Sequence, residues 1–257
     1  MKTIACNSIK GGTGKSTLSI ILVNALSRMN YKCLAIDMDM ANHSLSFYFN
    51  EGIPYEIILE KNIFKVFTGS PVKDNVLHIT DTIDLLNADV RLSDFNNIAT
   101  LKRLKDMLQG LDYDYIIIDT APVFDNLILN VFMASDLLFI PVQQDIFNYQ
   151  SVKYLLKRLS EFDLPDLDIH IIMNQYEKPR TENKTAYSNQ LIDLFFKDKN
   201  IEPFINPVHI SKSSAIKKYI NGQGYRLSSR AETEKSYNEI TKLIHSVTGL
   251  TIKGEEI

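Results

Sequence analysis

Three short stretches of this chain hold residue types that can do chemistry at a workable spacing. The first is Asn7-Ser8-Ile9-Lys10-Gly11-Gly12-Thr13-Gly14-Lys15-Ser16-Thr17. Its glycines let backbone N–H groups close on an anion, and a helix starting at Lys15 adds the positive end of its dipole there. Lys15 then brings a full charge to the β and γ phosphates of a nucleotide, and the Ser16 hydroxyl is placed to ligate Mg2+. The plainer alternative is a Gly-rich turn that binds nothing; the Gly-Lys-Ser triplet between an apolar strand and a helical pattern argues against it. The second stretch is Ile36-Asp37-Met38-Asp39, two carboxylates at i and i+2 that leave a strand pointing the same way. A pair merely solvated at a strand end is the alternative there. The third is Tyr113-Asp114-Tyr115-Ile116-Ile117-Ile118-Asp119-Thr120-Ala121-Pro122, an apolar run ending in a carboxylate.

Groups spread this widely meet only if strands end together and helices begin beside them. Strands are expected at Thr3–Cys6, Cys33–Asp37, Val76–Ile79, Ile83–Asn87, Tyr115–Asp119, Leu137–Val142 and Asp168–Met173. Several are continuous apolar runs, as strands covered on both faces require. After Lys15, apolar residues recur at Leu18, Ile21, Leu22, Ala25, Leu26 and Met29, which gives a helix one buried face. Further helical patterns run near Asn97–Leu108, Phe147–Leu159, Thr185–Phe196 and Ala231–Val247. Strand alternating with helix predicts an α/β class, a doubly wound, mostly parallel sheet flanked by helices. There is no internal repeat, low-complexity tract or Pro/Gly/Ser linker, so residues 1–257 are expected to form a single nucleotide-binding domain.

Composition excludes several classes. Hydrophobic residues make up 45% and charged residues 23%, which suits an ordinary core and excludes disordered, collagenous and coiled-coil chains. Against 28 Lys+Arg stand 31 Asp+Glu, a net charge of −3, so any affinity for nucleic acid must come from a local patch. The N-terminal residues are too few and too polar for a signal segment, and no apolar run approaches the ~18 residues of a membrane span. Cys6 and Cys33 are too few for a disulfide framework or a zinc site and are expected to be buried and inert. A cytoplasmic protein is expected.

At Lys10-Gly11-Gly12-Thr13-Gly14-Lys15-Ser16 the sequence resembles the deviant Walker A family, whose signature is Lys-Gly-Gly-x-Gly-Lys-Ser/Thr and which includes the ParA/Soj partition ATPases and MinD. Ile9 stands where the usual phosphate loop has Gly. The resemblance implies ATP and Mg2+ as cofactors. It implies that Lys10 reaches across a homodimer to the partner's nucleotide, a solvated loop charge being the alternative. It also implies that Asp37 supports the Mg2+ shell, that Asp39 orients the attacking water, and that Asp119 holds Mg2+ through water. The loop Gly11, Gly12, Thr13, Gly14, Lys15, Ser16 and Thr17 would cradle the phosphates. Asn174 and Pro207 resemble the adenine-side positions, although Asn174 also suits a plain turn. Two departures stand out. Met40-Ala41-Asn42-His43 replaces the family's Pro-Gln-Gly-Asn, and Ala121 replaces the first of two prolines.

Within that family, a nitrogenase iron protein would need cluster-bridging cysteines, which Cys6 and Cys33 do not supply. A MinD-like membrane protein is expected to end in a basic amphipathic helix, whereas this chain ends Thr248-Gly249-Leu250-Thr251-Ile252-Lys253-Gly254-Glu255-Glu256-Ile257. A synthetase would need a small-molecule pocket. A ParA-type ATPase would bind DNA without sequence preference in its ATP-bound dimer, and residues 170–235 carry a net charge of +4 against −7 for the rest. Arg180, Lys184 and Lys212 fall nearest the family's DNA-contacting residues, with a solvated helical surface as the alternative. No N-terminal helix-turn-helix domain is expected before the loop. The resemblance implies plasmid or chromosome partition or cargo positioning, nucleoid association in the ATP state, a ParB-like centromere-binding or cargo adaptor protein as stimulating partner, and no membrane contact. A MinD-like membrane-associated ATPase is the alternative.

Overall fold

Along the strand Tyr115–Thr120, side chains alternate between two buried clusters. Ile116 and Ile118 enter one, while Tyr115 and Ile117 enter the other. The same alternation divides Leu138, Ile140 and Val142 from Leu137 and Phe139. A strand whose two faces are both buried must lie between two layers, which accounts for the unbroken apolar runs. The computed structural model describes residues 1–95, 101–177, 182–213 and 231–249, with the side chains of 182–189, 231–234 and 236 outside that description.

The strands are β1 (Lys2–Cys6), β2 (Cys33–Met38), β3 (Leu77–Thr80), β4 (Ile83–Leu86), β5 (Tyr115–Thr120), β6 (Leu137–Val142) and β7 (Asp168–Met173). They form one sheet in the order β3-β4-β2-β5-β1-β6-β7. Every pairing is parallel except β3 with β4, which are antiparallel with a register shift at His78 and Thr80. β3 is an edge strand with exposed His78 and Thr80, so its outer polar groups meet water rather than another strand.

One layer contains α1 (Lys15–Arg28), α2 (Ser44–Phe49) and α10 (Ala231–Thr248); Leu18, Leu22 and Leu26 pack there with Ile240, Leu243 and Ile244. The opposite layer contains α4 (Ile63–Phe67), α5 (Val72–Asn75), α6 (Arg103–Leu108), α7 (Asn126–Met133), α8 (Ile146–Leu159) and α9 (Glu182–Lys197). The short α3 (Tyr55–Glu60) buries no residue fully. Carboxylates start two of these helices. Asp125 accepts from the Ile128 amide at 2.8 Å, and Asp145 accepts from those of Phe147 and Asn148 at 2.9 Å. Each satisfies amides that a first turn leaves unpaired.

All seven expected strands are present within a residue at each end. The expected helix over Asn97–Leu108 is described only as α6 from Arg103, since 96–100 fall outside the described residues. Helices α2 to α5 and α7 were not foreseen. The first four are too short for a 3.6-residue period to register, and α7 is apolar almost throughout, so its sequence reads as a run rather than a stripe. The parallel strands run the same way. Their carboxyl ends therefore bring Cys6, Asp37, Asp119, Val142 and Met173 to one edge, the place where doubly wound sheets bind ligands.

Candidate phosphate site

The loop after β1 is braced from three sides. The Asn7 amide nitrogen donates to Thr120 Oγ1 at 2.8 Å, and Thr120 Oγ1 donates to the Cys6 carbonyl at 2.7 Å. Gln143 Nε2, after β6, donates to the Gly12 carbonyl at 2.9 Å, and Asn174 Nδ2, after β7, donates to the Thr13 carbonyl at 2.6 Å. Two loop carbonyls are thus turned onto neighbouring side chains. Among the described residues, no hydrogen bond occupies the backbone amides of Lys10 to Gly14. Free amides at the start of α1 are what an anion needs. Gly12 and Gly14 hold φ of 77° and 97°, and a Cβ on Gly14 would overlap the Asn174 amide. Glycine is required there on both counts.

Lys15 lies on this loop with its side chain buried. Burial pushes its pKa down, while the Asp119 and Asp39 carboxylates push it back up. The chain therefore holds a cation where water is scarce, in a position that an anionic ligand would stabilise. The Thr13 hydroxyl oxygen is buried beside it with no hydrogen-bond partner.

Asp119 and Asp39 act on Lys15, Asp37 neighbours Asp119, and the three carboxylates are each in a different state. Asp37 gives both oxygens to backbone amides, Oδ1 to Asp39 at 2.9 Å and Oδ2 to Ser46 at 2.8 Å. It therefore ties the strand end to α2 as well as facing the site. Its pKa is raised because burial outweighs those amides. Asp39 Oδ1 accepts from the amides of Ala41 and Asn42 at 3.1 Å, and Oδ2 accepts from Asn42 Nδ2 at 3.0 Å. In this conformation Asp39 closes its own loop, so the Met40-Ala41-Asn42 turn is an Asx-type turn built on that carboxylate. Asp119 pairs in register with Asp37 across β5 and β2. Its Oδ1 lies 3.1 Å from the Ser19 hydroxyl, and its buried Oδ2 has no partner. Burial, then the Asp37 charge, push the Asp119 pKa up to about 8, against the pull of the Ser16 hydroxyl and Lys15.

This donor set fits Mg2+. Hard oxygen donors converge, the buried Asp119 Oδ2 lacks a hydrogen-bond partner among the described residues, and the neighbouring Asp37 and Asp119 each raise the need for a cation. Ser16, whose hydroxyl acts on Asp119, and Asp119 would hold the ion, with Asp37 beside Asp119.

Lys10 occupies a different environment. Its Nζ is 2.9 Å from both oxygens of Asp145 and 5.5 Å from the centre of the Phe147 ring. Lys10 and Asp145 are each about one-third exposed. Asp145 thus caps α8 and holds Lys10 at once. Burial pushes its pKa up, but the Lys10 ammonium and the helix amides outweigh this and leave it below the usual carboxylate range. Sequence reasoning missed Asp145 and Gln143. Asp145-Ile146-Phe147-Asn148 carries an N-cap signal, but nothing local marks a partner 135 residues earlier.

The remaining expected residues divide. Asn174 is brought to the loop and props it. Pro207 is exposed. Arg180 lies outside the described residues, as does the side chain of Lys184 on α9. Lys212 is half-exposed and forms an ion pair with Glu177 at 2.7 Å. Cys6 and Cys33 are buried, and burial pushes both thiols up to about 12, so they are inert as expected. Among the described residues no helix is long and apolar enough to cross a membrane.

Residues 1–173 match the model of an AAA-domain family, AAA_31. The chromosome-partitioning ATPase Soj of Thermus thermophilus is 27% identical over 168 residues, an alignment spanning 63% of this chain and 62% of Soj. The chain therefore covers less than two thirds of that relative. A Borrelia burgdorferi protein assigned to plasmid partition, solved with AMPPNP bound, superposes with a TM-score of 0.75 at 26% identity over 95% of this chain and 98% of its own. McdA from Cyanothece shares the fold, with a TM-score of 0.77 at 20% identity over 95% and 99% of the two chains.

Proposed function

The chain belongs to the ParA/MinD-type P-loop ATPases, and from that premise we propose that it is a Mg2+-dependent ATPase that dimerises around two ATP molecules. In this reading, the dimer binds DNA without sequence preference and so partitions or positions a cargo. A ParB-like or adaptor protein stimulates hydrolysis and resets the cycle. One domain carries the whole activity, in the cytoplasm and on the nucleoid in the ATP state.

The observation that supports this most is Lys10. It is a second lysine on the phosphate loop, held away from the nucleotide side by one partly exposed ion pair. Such a pair is worth about 1 kcal/mol or less, so a partner's phosphate can displace Asp145 at small cost. Lys15 and the free loop amides bind the β and γ phosphates. Ser16 and Asp119 would hold Mg2+, which would supply positive charge to offset that of the phosphates. Asp39 turns from its own loop toward the attacking water, and Lys10 of the second copy meets the charge that develops in the transition state.

DNA affinity in this account comes from phosphate contacts made by Arg180, Lys184 and Lys212. The Lys212–Glu177 pair is exposed and exchanges for phosphate readily. Gel shifts with unrelated duplexes, with and without ATP, over a salt series test the reading. Affinity should be equal across sequences, depend on ATP, and fall with a log–log slope of roughly 0.9 per phosphate neutralised. Absence of DNA binding in every nucleotide state, together with ATP-dependent recruitment to liposomes, would replace it with a membrane-associated ATPase.

A further inference from the structure

Far from the phosphate loop, α8 borders a surface groove of about 880 Å3. Helix α8 is 14 residues long, or about 21 Å at 1.5 Å per residue. Its first turn is capped by Asp145, which holds Lys10; its last turns form one wall of the groove. The opposite wall is the turn around Lys199 to Phe204, and the floor is the segment entering β7. On that floor Phe162, Leu164, Leu167 and Ile169 are only half-buried, as is Phe204 on the wall.

Among the described residues the charged groups of the groove's lining are Lys153, Lys157 and Lys199; Glu161, Asp163, Asp166 and Asp168 alternate with the floor residues but lie outside the lining. Lys153 is 3.3 Å from Asp198, a residue outside the lining. Among the described residues, neither Lys157 nor Lys199 has a carboxylate within ion-pair distance. On α8, Gln150, Lys153, Tyr154 and Lys157 follow at spacings of three and four, so they form a single face that lines the groove among the described residues.

We propose that this groove docks an acidic amphipathic helix of a partner protein. Its apolar face would lie on the phenylalanine and leucine floor, and its carboxylates would meet Lys157 and Lys199. A helix-in-groove contact needs an apolar trough with charged edges, and both are present. Duplex DNA would use the lysines but leave the apolar floor uncovered, so the peptide fits the surface better. The proposal rests on the partner-stimulated ATPase reading and deepens it. A segment seated here touches the helix whose other end fixes Lys10, so docking can bear on the lysine that the cycle must release.

The probe is a fluorescein-labelled, 16-residue helical peptide with leucines on one face and glutamates flanking them, compared with the same peptide carrying lysines for the glutamates. Anisotropy should show saturable binding of the acidic peptide alone, weakened about tenfold by the double substitution Lys157→Glu and Lys199→Glu, with ATP affinity unchanged. Backbone amide shifts of α8 in the wild-type protein should move on adding the acidic peptide, which keeps the test valid if the double variant folds poorly. Binding of both peptides alike, or of neither, overturns the proposal. So does tighter binding of duplex DNA, dodecanoate or phosphatidylglycerol vesicles that the double variant abolishes, or self-association of the protein through this face. ATP-dependent dimerisation is measured on the same samples. Its loss with peptide binding intact would sink the functional reading and spare the groove; the reverse would sink the groove alone.

Discussion

Lys15 and Asp119 make opposite demands on the same few cubic ångströms. Burial disfavours the charge on each, and each partly relieves the other. Replacing Lys15 by Ala removes the cation proposed to face the β and γ phosphates and leaves the apolar residues of α1 in place. ATP affinity should fall at least about 100-fold, since charge-assisted contacts to phosphate are the strong ones, while the thermal transition stays cooperative. Isothermal titration with ATP and Mg2+ checks this; near wild-type affinity would move the phosphate site elsewhere. Asp119 gives a pH test. A carboxyl whose folded pKa is raised stabilises the fold fully below its ordinary value of 3.8, and that contribution is lost as pH climbs toward about 8. The nucleotide-free protein should therefore lose stability between pH 5 and 8. Asp119→Asn should lessen that loss and raise the melting temperature at pH 8, by about 2–4 °C for each 1 kcal/mol relieved. The same variant should gain less from ADP and Mg2+. Scanning fluorimetry across pH would refute this account of the carboxylate pair if the two proteins showed the same slope.

At the scale of elements, the phosphate loop works because two strand-end side chains, Gln143 and Asn174, hold its carbonyls outward. Gly14 pays for that closeness with φ of 97° and no room for a Cβ. Gly14→Ala should destabilise the fold by about 1–3 kcal/mol, the cost of a strained backbone, and should weaken ATP binding. Gly11, with nothing within 4 Å of an added Cβ, should accept Ala with little change in stability. Urea midpoints for the two variants decide it, and equal midpoints would mean that Asn174 does not brace the loop. The loop itself was legible in the sequence because glycines, Lys15 and Ser16 sit in consecutive positions, and the strands were legible because a strand buried on both faces is an unbroken apolar run. Asp145 and Gln143 were not, because their partners lie on the far side of the sheet crossover and no local period reports them. Asn174 reads in the sequence as an adenine-side or turn residue, and its further role in bracing Thr13 depends on a contact 161 residues away. The antiparallel β3 was visible as a strand, but its direction depends on a register with β4 that residue types do not encode.

For the whole molecule, the issue is whether one chain is a complete machine. Around Lys15 the site has its own cation, carboxylates and free amides. The Lys10 side chain, in contrast, is tied to Asp145 in this conformation. In the proposed dimer, a second copy would give that lysine a phosphate to reach in place of Asp145. If the proposed dimer forms, doubling the basic stretch at 170–235 would multiply phosphate contacts, so that ATP would gate the proposed DNA binding. Light scattering of the eluting protein with ATP and Mg2+, for the wild type and Lys10→Ala, tests that claim most directly. The wild type should shift from monomer to dimer with ATP and not with ADP, and Lys10→Ala should bind ATP with near wild-type affinity yet remain a monomer. A Lys10→Ala protein that dimerises and hydrolyses ATP as the wild type does would contradict the cross-subunit role.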